Sequence, residues 1–175
     1  MLELEIRKLL AADQEAAIGK IYDYLGEELF YYMSGMTGSS HDAEELLNEL
    51  FIKIVDNRFK IAKSKYLKSY LYKMAGNIAR DRIRQNRKRI KVLEDFSLFI
   101  KLSENTEIDE EKTTEALAAL ELLPHKQKEV VIMKIFMQKT FNQIGKDLRI
   151  SENTATSRYH YAMKKMKKKM GANHE

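Results

Sequence analysis

Apolar residues recur three and four positions apart along most of the chain, the period of a helix with one buried face, and no stretch alternates long enough to suggest a strand. The spacing predicts a helix from about Gln14 to Met33, with Ala17, Ile21, Tyr24, Leu25 and Phe30 on or near one face. "GMTGSS" ends it, because two glycines among Ser and Thr favour a turn. The next helix begins near His41, where Ser40 is placed to cap and Asp42, Glu44 and Glu45 complement the positive end of the helix dipole. Its apolar stripe is Ala43, Leu46, Leu47, Leu50, Phe51 and Ile54. Beyond the basic, irregular "NRFKIAKSK", a long helix from about Tyr66 to Arg89 turns Leu67, Leu71, Met74, Ala75 and Ile78 inward.

From Val92 to Thr114 the periodicity fails and Glu104, Glu107, Asp109, Glu110 and Glu111 accumulate. So polar a stretch offers too little apolar surface to offset the entropy of ordering it, and it reads as a linker. The expected organisation is all-α: an N-terminal helical bundle over 1–92, an acidic linker over 93–113 and a C-terminal helical module over 114–175.

The C-terminal module carries the most informative pattern. Pro124 suits a first helical position, and Val130, Val131, Ile132, Ile135 and Phe136 supply a buried stripe. Thr140 is placed to cap a short helix through Phe141, Ile144 and Leu148, Ser151 to cap the next, with Ile150 in the turn and Gly145 where the two would meet. Helices capped so close together must cross steeply, the geometry of a helix-turn-helix. With Ala155, Tyr159, Ala162 and Met163 facing the core, Asn153, Thr154, Thr156, Ser157, Arg158, His160 and Tyr161 face outward. Short polar side chains with an Arg reach base edges and phosphates in a major groove. Lys164, Lys165, Lys167, Lys168 and Lys169 follow without an acid and add sequence-independent attraction to phosphate.

Composition sharpens this. The net charge is only +5, from 31 Lys and Arg against 26 Asp and Glu, but Arg80, Arg82, Arg84, Arg87, Lys88 and Arg89 crowd into "NIARDRIRQNRKR". A block of one sign creates a local field that the total conceals. By itself that block fits either a solvated helix face or a nucleic-acid contact. With no Cys there is neither a disulfide framework nor a thiolate metal site, which suits a reducing compartment. The N-terminus lacks the pattern of a secretory signal and no run approaches the roughly 20 apolar residues that cross a bilayer, so a cytoplasmic protein without membrane insertion is expected. His41, His125, His160 and His174 are scattered without ligand spacing, and no phosphate loop or nucleophile elbow appears. Neither enzymatic activity nor a cofactor, metal or small-molecule substrate is expected.

In order, spacing and linker position the chain resembles the extracytoplasmic-function sigma factors of the sigma-70 family, bacterial transcription-initiation subunits. "DAEELLNELF" over 42–51 resembles the helix that docks on the clamp coiled coil of core RNA polymerase, "YLKSYLYKMAGNIARDRIRQNRKR" the region 2 segment that melts and reads the minus-ten element, and Leu123 to Met170 the region 4 module that reads the minus-thirty-five element. The resemblance implies a polymerase surface of Asp42, Glu45, Leu46, Asn48, Glu49 and Phe51. It implies minus-ten contacts from Tyr66, Lys68, Tyr70, Tyr72, Lys73, Asn77, Arg80, Arg82, Arg84, Arg87 and Lys88, since holding an unpaired strand calls for aromatic faces that stack bases and cations that follow the backbone. Asp81 fits an Arg-orienting role better than a DNA contact, because its charge repels phosphate. Asn153, Thr154, Thr156, Ser157, Arg158, His160, Tyr161 and Lys164 are implied as the minus-thirty-five set, and an anti-sigma factor as a further partner beside polymerase and promoter DNA. Tyr70 stands where the family usually has Trp, Ala155 where it has Val, and Thr156 and Tyr161 where it more often has basic residues. The competing readings are a stand-alone helix-turn-helix regulator and a sigma-like chain that only titrates an anti-sigma factor.

Overall fold

The computed structural model describes residues 1–86 and 110–171, and every described element is helical. Arg87, Lys88 and the expected linker from 93 to 109 lie outside the described residues.

The N-terminal bundle begins with a helix the periodicity reading above omits, α1 (Leu2–Ala12), which buries Ile6 and Leu10. Asp13 separates it from α2 (Gln14–Ile21) and caps α2 by accepting from the Ala16 amide at 3.1 Å. A π-helical turn over Tyr22–Gly26 widens the path, and α3 (Glu27–Thr37) completes the run expected as one helix. Gly38 closes α3 at φ 73°, a left-handed conformation that costs glycine nothing. The cap of α4 (Ser40–Asp56) is Ser39, one residue before the expected Ser40, and its hydroxyl accepts from the Asp42 amide at 3.0 Å. The stretch expected to be irregular holds a short helix, α5 (Arg58–Ala62), and α6 (Leu67–Asn86) runs beyond it. Leu67, Leu71, Ala75 and Ile78 are buried on α6 as their spacing dictates.

Among the described residues the C-terminal module has four helices: α7 (Glu110–Glu121), α8 (His125–Val131), α9 (Phe141–Leu148) and α10 (Glu152–Gly171). α7 starts inside the segment expected to be linker. A second π-helical turn over Ile132–Phe136 extends α8, and it turns Ile135 to solvent although the stripe predicts it buried. Thr140 caps α9 through a reciprocal capping box with Gln143. A Cβ at Gly145 would lie 2.9 Å from the Ile150 carbonyl oxygen, so backbone fills the space of any side chain and the tight α9–α10 crossing requires glycine.

The modules do not sit apart. Val130, Ile132, Met133, Ile144 and Ala155 of the C-terminal module share one continuous core with Tyr32, Met33, Met36, Tyr72 and Ala79 of the bundle. α7 closes a smaller second core around Leu117, Leu120, Leu123, Ala162 and Met166. Among the described residues no helix is long and apolar enough to cross a membrane.

Candidate nucleic-acid and polymerase interfaces

Helical spacing sorts the proposed site residues into three surfaces. On α6, Lys73, Asn77, Arg80 and Arg84 fall on one exposed stripe, with half-buried Tyr70 and, just before the helix, Tyr66 in line with it. Tyr66 is 44% exposed, with Lys65 Nζ 5.4 Å from its ring centroid. Arg84 lies 3.7 Å from Asp81, the orienting pair expected from their shared face. An aromatic ring at one end and cations on successive turns are the side-chain types that suit a phosphate backbone and a stacked base.

Three members of the expected minus-ten set lie elsewhere. Tyr72 is fully buried: its ring packs edge-on against Tyr32 at 5.2 Å and its hydroxyl donates to Glu28 Oε2 at 2.7 Å, so it has no face to stack a base. Lys68 pairs with Glu28 at 3.0 Å. Arg82 Nη1 donates to both Asp42 and Glu45 at 2.8 Å, joining α6 to the start of α4. Hydrogen bonds and charge from Arg82 hold the Glu45 carboxyl below its usual range. Asp42, expected on the polymerase surface, is thereby half-buried in a structural pair.

On α4, Glu45, Asn48 and Glu49 face outward, and Glu49 pairs with Lys53 at 2.9 Å. Leu46 is fully buried and is removed from that surface, because its position on the apolar stripe commits it to the core. Phe51 is half-buried and its ring meets Tyr22 at 5.9 Å. Two residues missed in the sequence complete the patch: Ile52 is 63% exposed and Tyr22 60%. The signal for Ile52 was present, since it follows Asn48 by one turn on the polar side, where a solvated helix has no use for isoleucine. Acids around a small apolar centre suit docking of a basic, amphipathic helix.

On α10, Asn153, Ser157, His160, Tyr161 and Lys164 form one exposed face, with Tyr161 64% exposed. Ala155 and Ala162 are buried behind it and Tyr159 packs on Phe141 at 5.5 Å. Arg158 is half-buried beside the face. The two threonines are engaged locally: the Thr154 hydroxyl meets Ser151 Oγ at 2.7 Å, and that of Thr156 donates to the Glu152 carbonyl at 2.9 Å. The freely exposed face is therefore narrower than the expected set. Among the described residues no group of His, Asp and Glu is arranged to hold a metal ion.

Comparison with known proteins agrees with this division. The profile of Sigma-70 region 2 matches residues 21–89 and that of Sigma-70 region 4 matches residues 119–168. Over 97% of both chains the sequence is 23% identical to a Bacillus subtilis protein, "ECF RNA polymerase sigma factor SigW". It is 23% identical to "ECF RNA polymerase sigma factor SigX" of the same bacterium, over 86% of this chain and 81% of the relative. Similarity to its "RNA polymerase sigma factor SigV" reaches 28% identity over 72% of this chain and 74% of that one.

Proposed function

The chain belongs to the extracytoplasmic-function group of the sigma-70 family and is a transcription-initiation sigma factor; from that premise we propose how its surfaces divide the work. The α4 patch of Glu45, Asn48, Glu49, Phe51 and Ile52, flanked by Tyr22, docks on core RNA polymerase. The α6 stripe from Tyr66 through Lys73, Asn77, Arg80 and Arg84 captures the unpaired minus-ten strand, and the α10 face of Asn153, Ser157, Arg158, His160, Tyr161 and Lys164 reads the minus-thirty-five duplex. Arg87 and Lys88 continue the basic run in sequence and extend the minus-ten contacts. Polymerase supplies the chemistry, so this chain's residues position, grip and melt.

The observation that supports this reading is the presence of two separate exposed faces with cationic side chains on one chain, only one of them on a helix-turn-helix. A stand-alone regulator needs only the α10 face and has no use for an aromatic and cationic stripe on a second module. An anti-sigma factor, as the family resemblance implies, would cover these same faces. The test is transcription in vitro with purified chain and bacterial core polymerase on a fragmented genomic library. Chain-dependent starts that share two spaced upstream elements are expected. Polymerase binding without dependent starts would replace this reading with a titrating, sigma-like protein.

A further inference from the structure

One aromatic side chain of α10 belongs to no core. The helix commits Ala155, Ala162 and Met166 to the interior, and Tyr159 packs on Phe141 at 5.5 Å. Tyr161 follows Tyr159 by two residues, roughly 200° round the helix, and is 64% exposed. Buried Tyr32 and Tyr72 each donate a hydroxyl to a carboxylate. The other exposed tyrosines are engaged as well, Tyr22 with Phe51 at 5.9 Å and Tyr66 beneath the Arg149 guanidinium at 4.4 Å. Among the described residues the Tyr161 ring meets no other ring or cation, and its hydroxyl has no hydrogen-bond partner. Neither packing nor hydrogen bonding within the fold requires an aromatic ring at 161.

Its surroundings fit the floor of a major groove. Asn153, Ser157 and Tyr161 repeat at four-residue spacing along one exposed stripe, and exposed Lys164 and Lys165 follow a turn later, where they suit phosphate. Tyr161 lies eight residues beyond Asn153, which is ~12 Å along the axis at ~1.5 Å per residue, or about three to four base steps of ~3.4 Å. The major-groove edges of guanine, adenine and cytosine present hydrogen-bonding groups, and thymine alone adds an apolar one, its 5-methyl. A ring laid on the polar edges strips water from donors and acceptors without replacing their hydrogen bonds. Laid on the methyl, it takes apolar surface of both partners out of water and leaves no polar group unpaired.

We infer that Tyr161 is a specificity-determining residue: its ring packs on the 5-methyl group of a thymine, so the minus-thirty-five element that this chain reads carries thymine at the end of the contact opposite Asn153. The inference rests on the assignment of the α10 face to the minus-thirty-five duplex, and its test reads the two separately.

The full chain with core polymerase, at limiting concentration, is assayed for transcription on a promoter returned by the genomic library, with each thymine of the minus-thirty-five element on either strand replaced in turn by uracil. Uracil keeps every hydrogen-bonding group of thymine and lacks only the methyl. One replacement is expected to lower wild-type transcription about threefold to fivefold, the worth of one methyl taken out of water. Tyr161→Ser is expected to respond to none of them, while Tyr161→Phe, which keeps the ring, responds as the wild type does. Each response is a ratio of two templates for one protein, so a general loss of activity in a variant cancels. An element without thymine overturns the inference, as does a wild type that stays within about 1.5-fold on every uracil template, well short of one buried methyl. Equal methyl dependence in Tyr161→Ser, or its loss in Tyr161→Phe, overturns it too. If the wild type binds polymerase and directs no transcription from any thymine-containing promoter, the sigma-factor reading has failed instead, and this inference with it.

Discussion

Gly35→Ala tests the packing between the two modules at its tightest point. Gly35 lies on the buried side of α3, and an added Cβ would stand 2.7 Å from Ile132 Cγ2, 3.1 Å from Cγ1 and 3.3 Å from Cδ1. Ile132 is fully buried and β-branched, so its χ1 has no easy alternative and the strain passes to the separation of the modules. Overpacking of this kind costs about 1–3 kcal/mol, while alanine in a helix interior recovers about 0.5–1 kcal/mol relative to glycine. The net expectation is a loss of about 0.5–2 kcal/mol, which at ~1.4 kcal/mol per factor of ten lowers the folded-to-unfolded ratio by a factor of about 2 to 30. Urea unfolding of wild type, Gly35→Ala, Ile132→Ala and the double variant measures it as a cycle. Ile132→Ala alone should cost about 2–4 kcal/mol through its cavity, but the double variant should lose less than the two losses added, by about 1 kcal/mol or more, because the new methyl enters space that Ile132 vacates. One residue belongs to each module, so this coupling reports their contact in solution. Additivity within about 0.5 kcal/mol would refute the packing.

Three further outcomes follow from single sites. Burial alone would raise the Glu28 carboxyl, but hydrogen bonds from Lys139 and Tyr72 outweigh it and bring it from 4.5 down to about 2. A carboxyl lowered by folding stabilises above its unfolded value, so this contribution is present above about pH 4.5 and is lost as pH falls towards 2. Glu28→Gln should flatten that acid limb and cost about 1–2 kcal/mol at neutral pH, after allowing for solvent screening of a side chain 38% exposed; an unchanged limb in pH-dependent denaturation contradicts it. Lys128→Ala removes the buried donor to the Met36 carbonyl and should cost about 1–3 kcal/mol by urea unfolding, whereas Lys128→Met, which keeps the apolar stem, should recover part of it. Arg158→Ala should weaken binding of the minus-thirty-five duplex by about 1–3 kcal/mol in holoenzyme footprinting, with polymerase affinity unchanged.

The fold was legible wherever one face of a helix met one core. Ala43, Leu46, Leu50 and Ile54 on α4, and Leu67, Leu71 and Ala75 on α6, are buried as their period requires. The capping residues Thr140 and Ser151 also fixed the helix-turn-helix from sequence, because a cap is a local hydrogen bond. What pattern could not supply was set by packing between elements distant in sequence. Tyr72 looks like its neighbours Tyr66 and Tyr70, and only the approach of Lys139 and Glu28 makes it a buried hydrogen-bonding residue. Arg82 belongs to the same basic run as Arg80 and Arg84, yet it meets Asp42 and Glu45 from a helix 37 to 40 positions earlier in sequence. The short α5 and the separate α1 escaped because eleven residues or fewer give too few turns to distinguish a period.

Charged side chains line an interface between two modules that also share apolar core. A wholly apolar seam would hold them together at every pH and salt concentration, and a chain that had to part would expose all of that surface at once. Here three cations, Lys128, Lys139 and Arg149, come from the C-terminal module, and the groups that receive them, the Met36 carbonyl, Glu28 and the Tyr66 ring, come from the bundle. Each cation thus meets a group whose position is set by the bundle, so these contacts fix how the two modules meet, which the shared apolar core alone does not.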